Sequence, residues 1–149
     1  MKKVFRTLSL MLALVLLGGA KLMAQEAYAV YTSANTTLTF YYDSNRSTHE
    51  SNQNEAVYDL NTGNDKPAWY TDGTYANVSN VNFPGSFASA RPTTTSYWFY
   101  HMSNLTSVSN LHNLNTSSVT SMNQMFAYCS GLTNLDLSNF DTGDRKSVV

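Results

Sequence analysis

From residue 25 onward, apolar and polar positions alternate in short runs. Residues 27–32 and 36–42 read as strands. In the second, Leu38, Phe40 and Tyr42 alternate with Thr37, Thr39 and Tyr41, the period of a strand with one buried face. Ser33-Ala34-Asn35 between them predicts a hairpin turn. Residues 43–54 are polar and predict a mobile loop, and residues 56–60 supply a third strand. Asn61-Thr62-Gly63-Asn64 and Thr71-Asp72-Gly73 carry turn chemistry. Residues 25–76 are therefore expected to form a β-rich N-terminal cap.

Beyond residue 76 the apolar positions recur at a fixed distance. Val78, Leu105 and Leu132 are 27 apart, as are Val81, Val108 and Leu135, Phe99 and Phe126, and Phe87 and Leu114. A single insertion near Leu111 to Asn113 shifts the register, so that Asn115-Thr116 lies over Asp141-Thr142 at a distance of 26. A period of this size marks stacked repeats. Leu132-x-x-Leu135-x-Leu137 fits the core of a leucine-rich repeat, and Phe140 supplies a buried turn residue. Val119, Met122, Phe126 and Cys129 share one face if the return arm is a short helix, with Ser117 or Ser118 as its cap. Gly131 suits a left-handed residue at its end. The expected fold is a β-rich repeat of the α/β solenoid kind: a short leucine-rich-repeat solenoid over residues 77–142, preceded by the cap. Its core would be Val78, Val81, Phe99, Leu105, Val108, Met122, Phe126, Cys129, Leu132, Leu135, Leu137 and Phe140.

The segment Met125-Phe126-Ala127-Tyr128-Cys129-Ser130-Gly131-Leu132-Thr133-Asn134-Leu135-Asp136-Leu137-Ser138-Asn139-Phe140-Asp141-Thr142 resembles the repeat of the BspA-like leucine-rich-repeat bacterial surface proteins. Thr116-Ser117-Ser118-Val119-Thr120-Ser121-Met122 resembles the linker between those repeats, and Trp98-Phe99-Tyr100-His101-Met102-Ser103 a drifted copy. The resemblance covers residues 98–142. It implies export, a cell-surface location and binding to proteins or other cells, and does not imply catalysis. The general leucine-rich repeat has Asn or Cys where this chain has Phe140.

The N-terminus changes the picture of where the protein works. Lys2, Lys3 and Arg6 precede an apolar run from Leu8 to Leu17, broken only by Ser9, and Leu22-Met23-Ala24 ends it on a small residue. This is the pattern of a secretory signal peptide over residues 1–24, cleaved after Ala24. The run is far shorter than the roughly 20 residues of a spanning helix, so no transmembrane helix is expected in the mature chain, which is secreted or held at the outer cell surface. Residues 143–149 break the repeat. Asp144 to Val149 reads as a non-native tail resembling a translated sequencing adapter, with the chain the truncated start of a longer protein. Loss of the leader leaves five basic against ten acidic residues, a net charge of −5. So few cations argue against a nucleic-acid partner. The single cysteine, Cys129, excludes an internal disulfide.

Candidates for chemistry are sparse. His49, His101 and His112 lack metal-type spacing. Cys129 lies among apolar positions and reads as a buried thiol, and Asp136 is a lone carboxylate with no partner for acid–base work. Asp43, Glu50 and Glu55 lack the order of a calcium loop. No catalytic residue, metal or cofactor is expected, and the chain is not read as an enzyme. The leading expectation is binding of an extracellular protein or host-cell ligand through the outward strand residues Ser107, Ser109, Asn134 and Asp136. A second is carbohydrate binding through exposed aromatics, Tyr97 and Trp69, with Trp98 and Phe99 in the core and Tyr97 and Tyr100 outside. A third is a cap or spacer for a missing downstream module.

Overall fold

A computed structural model describes residues 24–141; the expected leader, apart from Ala24, and the expected non-native tail lie outside the described residues. Strand β1 (Glu26–Thr32) turns at Ser33 to Thr36 into β2 (Thr37–Asp43), and β3 (Glu55–Asp59) pairs antiparallel with the other side of β1. Tyr, Val, Thr and Phe fill β1 and β2, residue types that suit a pleated, half-buried surface. The segment expected as a mobile loop holds a short helix, α1 (Arg46–Glu50). It is pinned because the Arg46 guanidinium reaches Glu50 at 2.8 Å, Asp59 at 2.6 Å and Glu26 at 3.5 Å. From α1, His49 stacks on Tyr41 and tilts against Tyr28, covering the outer face of the hairpin.

The expected leucine-rich-repeat solenoid with a separate cap is not what forms. Strands β4 (Asn80–Asn82) and β5 (Ser107–Ser109) extend the same sheet in parallel, giving one open, mixed five-stranded sheet of order β3-β1-β2-β4-β5. The 27-residue spacing sets a register within that sheet: Asn80, Val81 and Asn82 pair with Ser107, Val108 and Ser109. No strand forms at Leu135–Leu137, and no helix forms between Val119 and Cys129.

The second of these differences has a clear backbone cause. Four-residue turns closed by hydrogen bonds run at 95–98, 99–102, 122–125 and 126–129: the N–H groups of Trp98, Met102, Met125 and Cys129 donate to the carbonyls of Thr95, Phe99, Met122 and Phe126. The third residue of each has a positive φ: Tyr97 (61°), His101 (61°), Gln124 (52°) and Tyr128 (62°). A left-handed residue every four positions prevents a helix from propagating. Between the two turn runs, the N–H groups of Thr95, Tyr97, Phe99 and His101 donate to the carbonyls of Ser121, Asn123, Met125 and Ala127.

The inner sheet face packs on these turns. Phe40 stacks between Phe83 (4.7 Å between ring centroids) and Trp98 (4.9 Å), and meets Trp69, from the short helix α2 (Ala68–Thr71), edge-on. Val78, Val81, Phe99, Leu105, Met122, Phe126 and Phe140 are buried. Val108, Cys129, Leu132, Leu135 and Leu137, expected in the core, are only half-buried against its margin, because β5 is the sheet edge and no further strand covers them. Gly131 does not have a positive φ; its need for glycine is spatial, since a Cβ there would lie 2.7 Å from the Ser103 carbonyl oxygen and 2.8 Å from that of Leu105.

Candidate functional site

Two surfaces gather polar or aromatic side chains. The first is a cleft of about 380 Å³ between β5 and the segment 134–139. Three of the four expected strand-face residues, Ser107, Asn134 and Asp136, line it together with His112, over a floor that includes Val108 and Leu135. Ser109 is exposed on β5 but stands outside the lining. The Ser107 hydroxyl donates to Asn80 Oδ1 at 2.8 Å and Asn110 donates to Asn82 Oδ1 at 2.9 Å, so a polar ladder crosses from β4 to β5. Asp136 accepts the Ser138 N–H at 2.9 Å, and hydrogen bonds from the Ser138 backbone and side chain hold its carboxyl below the usual carboxylate range. Among the described residues, no backbone hydrogen bond joins 107–109 to 134–136. The outer edge of β5 thus keeps strand donors and acceptors open to a partner.

The second surface is a ledge of tyrosines. Tyr70 stacks on Tyr75 (4.5 Å) and leans on Tyr100 (5.5 Å); Tyr100 meets Tyr97 edge-on (5.3 Å), His101 (4.4 Å) and Tyr128 (5.6 Å); His101 stacks on Tyr128 (4.3 Å). The Lys66 ammonium lies 4.2 Å from the Tyr70 ring centre and 4.7 Å from that of Tyr100, in reach of a cation–π attraction. Tyr97 is half-buried here, and Tyr128 is 65 % exposed. Trp69, expected as an exposed partner of Tyr97, is instead fully buried, with its indole N–H given to the Trp98 carbonyl. An indole this large finds a place in the core once its single donor is satisfied.

Of the aromatics expected to be exposed, Tyr97 and Tyr100 join this ledge and Trp69 does not; the fold brings the two tyrosines together with Tyr70, Tyr75, His101 and Tyr128. One signal pointed that way: His101 and Tyr128 occupy the same column of the 27-residue period.

The titratable groups elsewhere have structural surroundings. The Cys129 thiol lies 3.0 Å from the Phe99 carbonyl oxygen, and burial pushes it up to about 11, against an opposing hydrogen bond from the Met102 N–H. It is protonated at neutral pH and poorly suited to attack or to metal binding. His49 pairs through Nδ1 with Glu55 at 2.7 Å. Among the described residues, no group of three His, Cys, Asp or Glu side chains is placed to hold a metal ion. Among the same residues, no helix is long and apolar enough to cross a membrane.

By its fold the described chain is a small mixed-sheet protein with an open edge. Residues 73–148 match the model of a family described as "Mycoplasma protein of unknown function, DUF285", and the chain belongs to that family. The matched stretch includes β4, β5, the turn runs and most of the ledge, and leaves out β1 to β3, Lys66 and Tyr70. No curated protein and no solved structure matches the chain.

Proposed function

We propose that this chain is an exported, non-catalytic binding protein and that the cleft beside β5 takes an extended segment of a partner protein. The observation that carries the reading is the open outer edge of β5 beside a cleft lined by Ser107, Asn134 and Asp136. An extended peptide pairs with such an edge through its main chain, while neighbouring side chains select the sequence. Hydroxyl, amide and carboxylate groups along the cleft suit a polar partner segment. The leader-like N-terminus and the resemblance of residues 98–142 to bacterial surface proteins support an extracellular setting.

The test is binding of residues 25–149 to a panel of purified extracellular proteins, repeated with alanine at Ser107, Ser109, Asn134 and Asp136 together. All four side chains are exposed, and a thermal melt checks that the variant folds. The expected result is a partner whose affinity drops at least roughly tenfold, a loss of about 1.4 kcal/mol. Partners whose affinity ignores the four changes would remove the cleft from the reading.

A further inference from the structure

We propose that the tyrosine ledge is a second, separate binding site, and that its ligand is a neutral polysaccharide seated by the apolar face of its sugar rings on Tyr128 and His101. The ledge shares no residue with the cleft.

The backbone supplies the first argument. A four-residue turn whose third residue has positive φ normally carries glycine or asparagine there. A bulky side chain at such a position is strained. Of the four positions of this kind in the turn runs, three carry rings: Tyr97, His101 and Tyr128. All three join one ring network. Turn formation alone asks for small residues, so the rings are held at these positions against the local preference. Backbone held in sparsely populated regions concentrates at ligand sites.

Charge and chemistry choose the ligand class. An aromatic face is negative and attracts positively polarised C–H groups or cations. The cation place between Tyr70 and Tyr100 is already filled by Lys66, which disfavours a quaternary ammonium ligand. The described residues hold nine carboxylates and three cations other than histidine. Arg46 is spent on three carboxylates, Arg91 on the carbonyls of Ala88 and Ala90, and Lys66 on the rings. A surface of this balance repels a polyanion. An uncharged ligand rich in C–H groups and hydroxyls remains. Tyr97 accepts the Asn123 amide at 3.1 Å, leaving its own O–H proton at the rim to donate to a sugar hydroxyl. Tyr128 is the exposed large hydrophobic side chain of the described surface, 65 % exposed, and its ring gives a sugar an open face to stack on.

The experiment is native affinity electrophoresis of residues 25–149 through gels containing soluble neutral polysaccharides (dextran, galactomannan, hydroxyethylcellulose) or anionic polygalacturonate, at low and high salt. The variants are Tyr128→Asn and His101→Asn, singly and together, with Ser107→Ala in the cleft as a control. Asparagine tolerates positive φ, so the substitutions remove the rings without burdening the turns, and a thermal melt of each variant confirms folding. At least one neutral polymer should retard the protein, indifferent to salt. The double variant should bind it roughly tenfold more weakly, since ring contacts of this kind are each worth about 0.5–1.5 kcal/mol. Ser107→Ala should be retarded like the parent. Retardation by no neutral polymer, undiminished retardation of the folded double variant, or a salt-sensitive preference for polygalacturonate would each overturn the proposal.

Discussion

The indole N–H of Trp69 donates to the main-chain carbonyl of Trp98 at 2.7 Å, deep in the core. Trp98 in turn gives its own indole N–H to Asn61 Oδ1 at 2.7 Å. The Asn61 amide then reaches the carbonyls of Gly63, Asp65 and Ser96. One chain of hydrogen bonds therefore runs from the centre of the sheet's inner face to the loop that presents Lys66. Trp69→Phe keeps most of the ring but strips a buried carbonyl of its donor, and should cost about 1–3 kcal/mol. Trp69→Ala adds a cavity and should cost about 3–5 kcal/mol. Urea unfolding of the two variants would check the order, and a cost near zero for Trp69→Ala would show that the indole is not buried.

Gly131 offers a second test because its constraint is spatial. Gly131→Ala places a methyl against two backbone carbonyl oxygens, those of Ser103 and Leu105, and backbone yields less readily than a side-chain tip. A loss of about 1–3 kcal/mol is expected, as for overpacking elsewhere. Gly63→Ala, where nothing lies within 4 Å of the added carbon, should change stability little. Equal melting temperatures for the pair would contradict the close approach.

Gln124 is the one left-handed third-turn residue of these runs without a ring. Glycine there relieves backbone strain of about 1–2 kcal/mol, less the entropy it frees in the unfolded chain, about 0.5–1 kcal/mol. Gln124→Gly should therefore raise stability slightly, by up to about 1.5 kcal/mol. Differential scanning calorimetry would register a small upward shift, and a clear downward one would show that the Gln124 side chain contributes more than its backbone costs.

Alkaline pH should unfold the protein through its buried tyrosines. Burial pushes the Tyr58 hydroxyl up from 10.0, its hydrogen bond with Thr74 opposes this, and the Asp72 carboxylate adds to it, leaving the group at about 12. Burial beside Asp43 also raises Tyr28. The folded state then holds these protons more tightly than the unfolded chain, so their contribution is fully present below pH 10. It is lost as pH rises toward the folded value. Stability measured in urea should fall between about pH 10 and 12, and Tyr58→Phe should flatten that fall. A slope unchanged in the variant would assign the effect to other groups.

The N-terminal hairpin was legible because period-2 alternation with Tyr, Val and Thr has few other readings. The 27-residue column of Val81 and Val108 likewise gave a true strand register. The helical arm failed for a specific reason. Turns repeating every four residues bring Met122 and Phe126 to one side much as a helix of 3.6 residues per turn does, and apolar spacing cannot separate the two. The solenoid failed because a repeat period fixes which residues stack, not whether the stack stands alone or continues a sheet begun elsewhere. The cleft could be anticipated from outward strand positions. The ledge could not, since Lys66, Tyr70 and Tyr128 meet only through the fold, and Trp69 looked exposed because a sequence does not show which carbonyl will take an indole proton.

Phe40 stacks on Trp98, a residue 58 positions later in the chain. The hairpin that carries Phe40 closes through neighbours and can form within roughly 1–10 μs. The ring that covers it leaves the ribosome roughly 3–12 s later at ordinary synthesis rates. During that interval Trp69 and Phe83 emerge first and cover part of the Phe40 face, and the stack on Trp98 closes last. Wherever the chain emerges, the inner face of the hairpin thus depends for its final cover on a partner far along the sequence, and closing that long loop is the slow, entropy-costly part of its assembly.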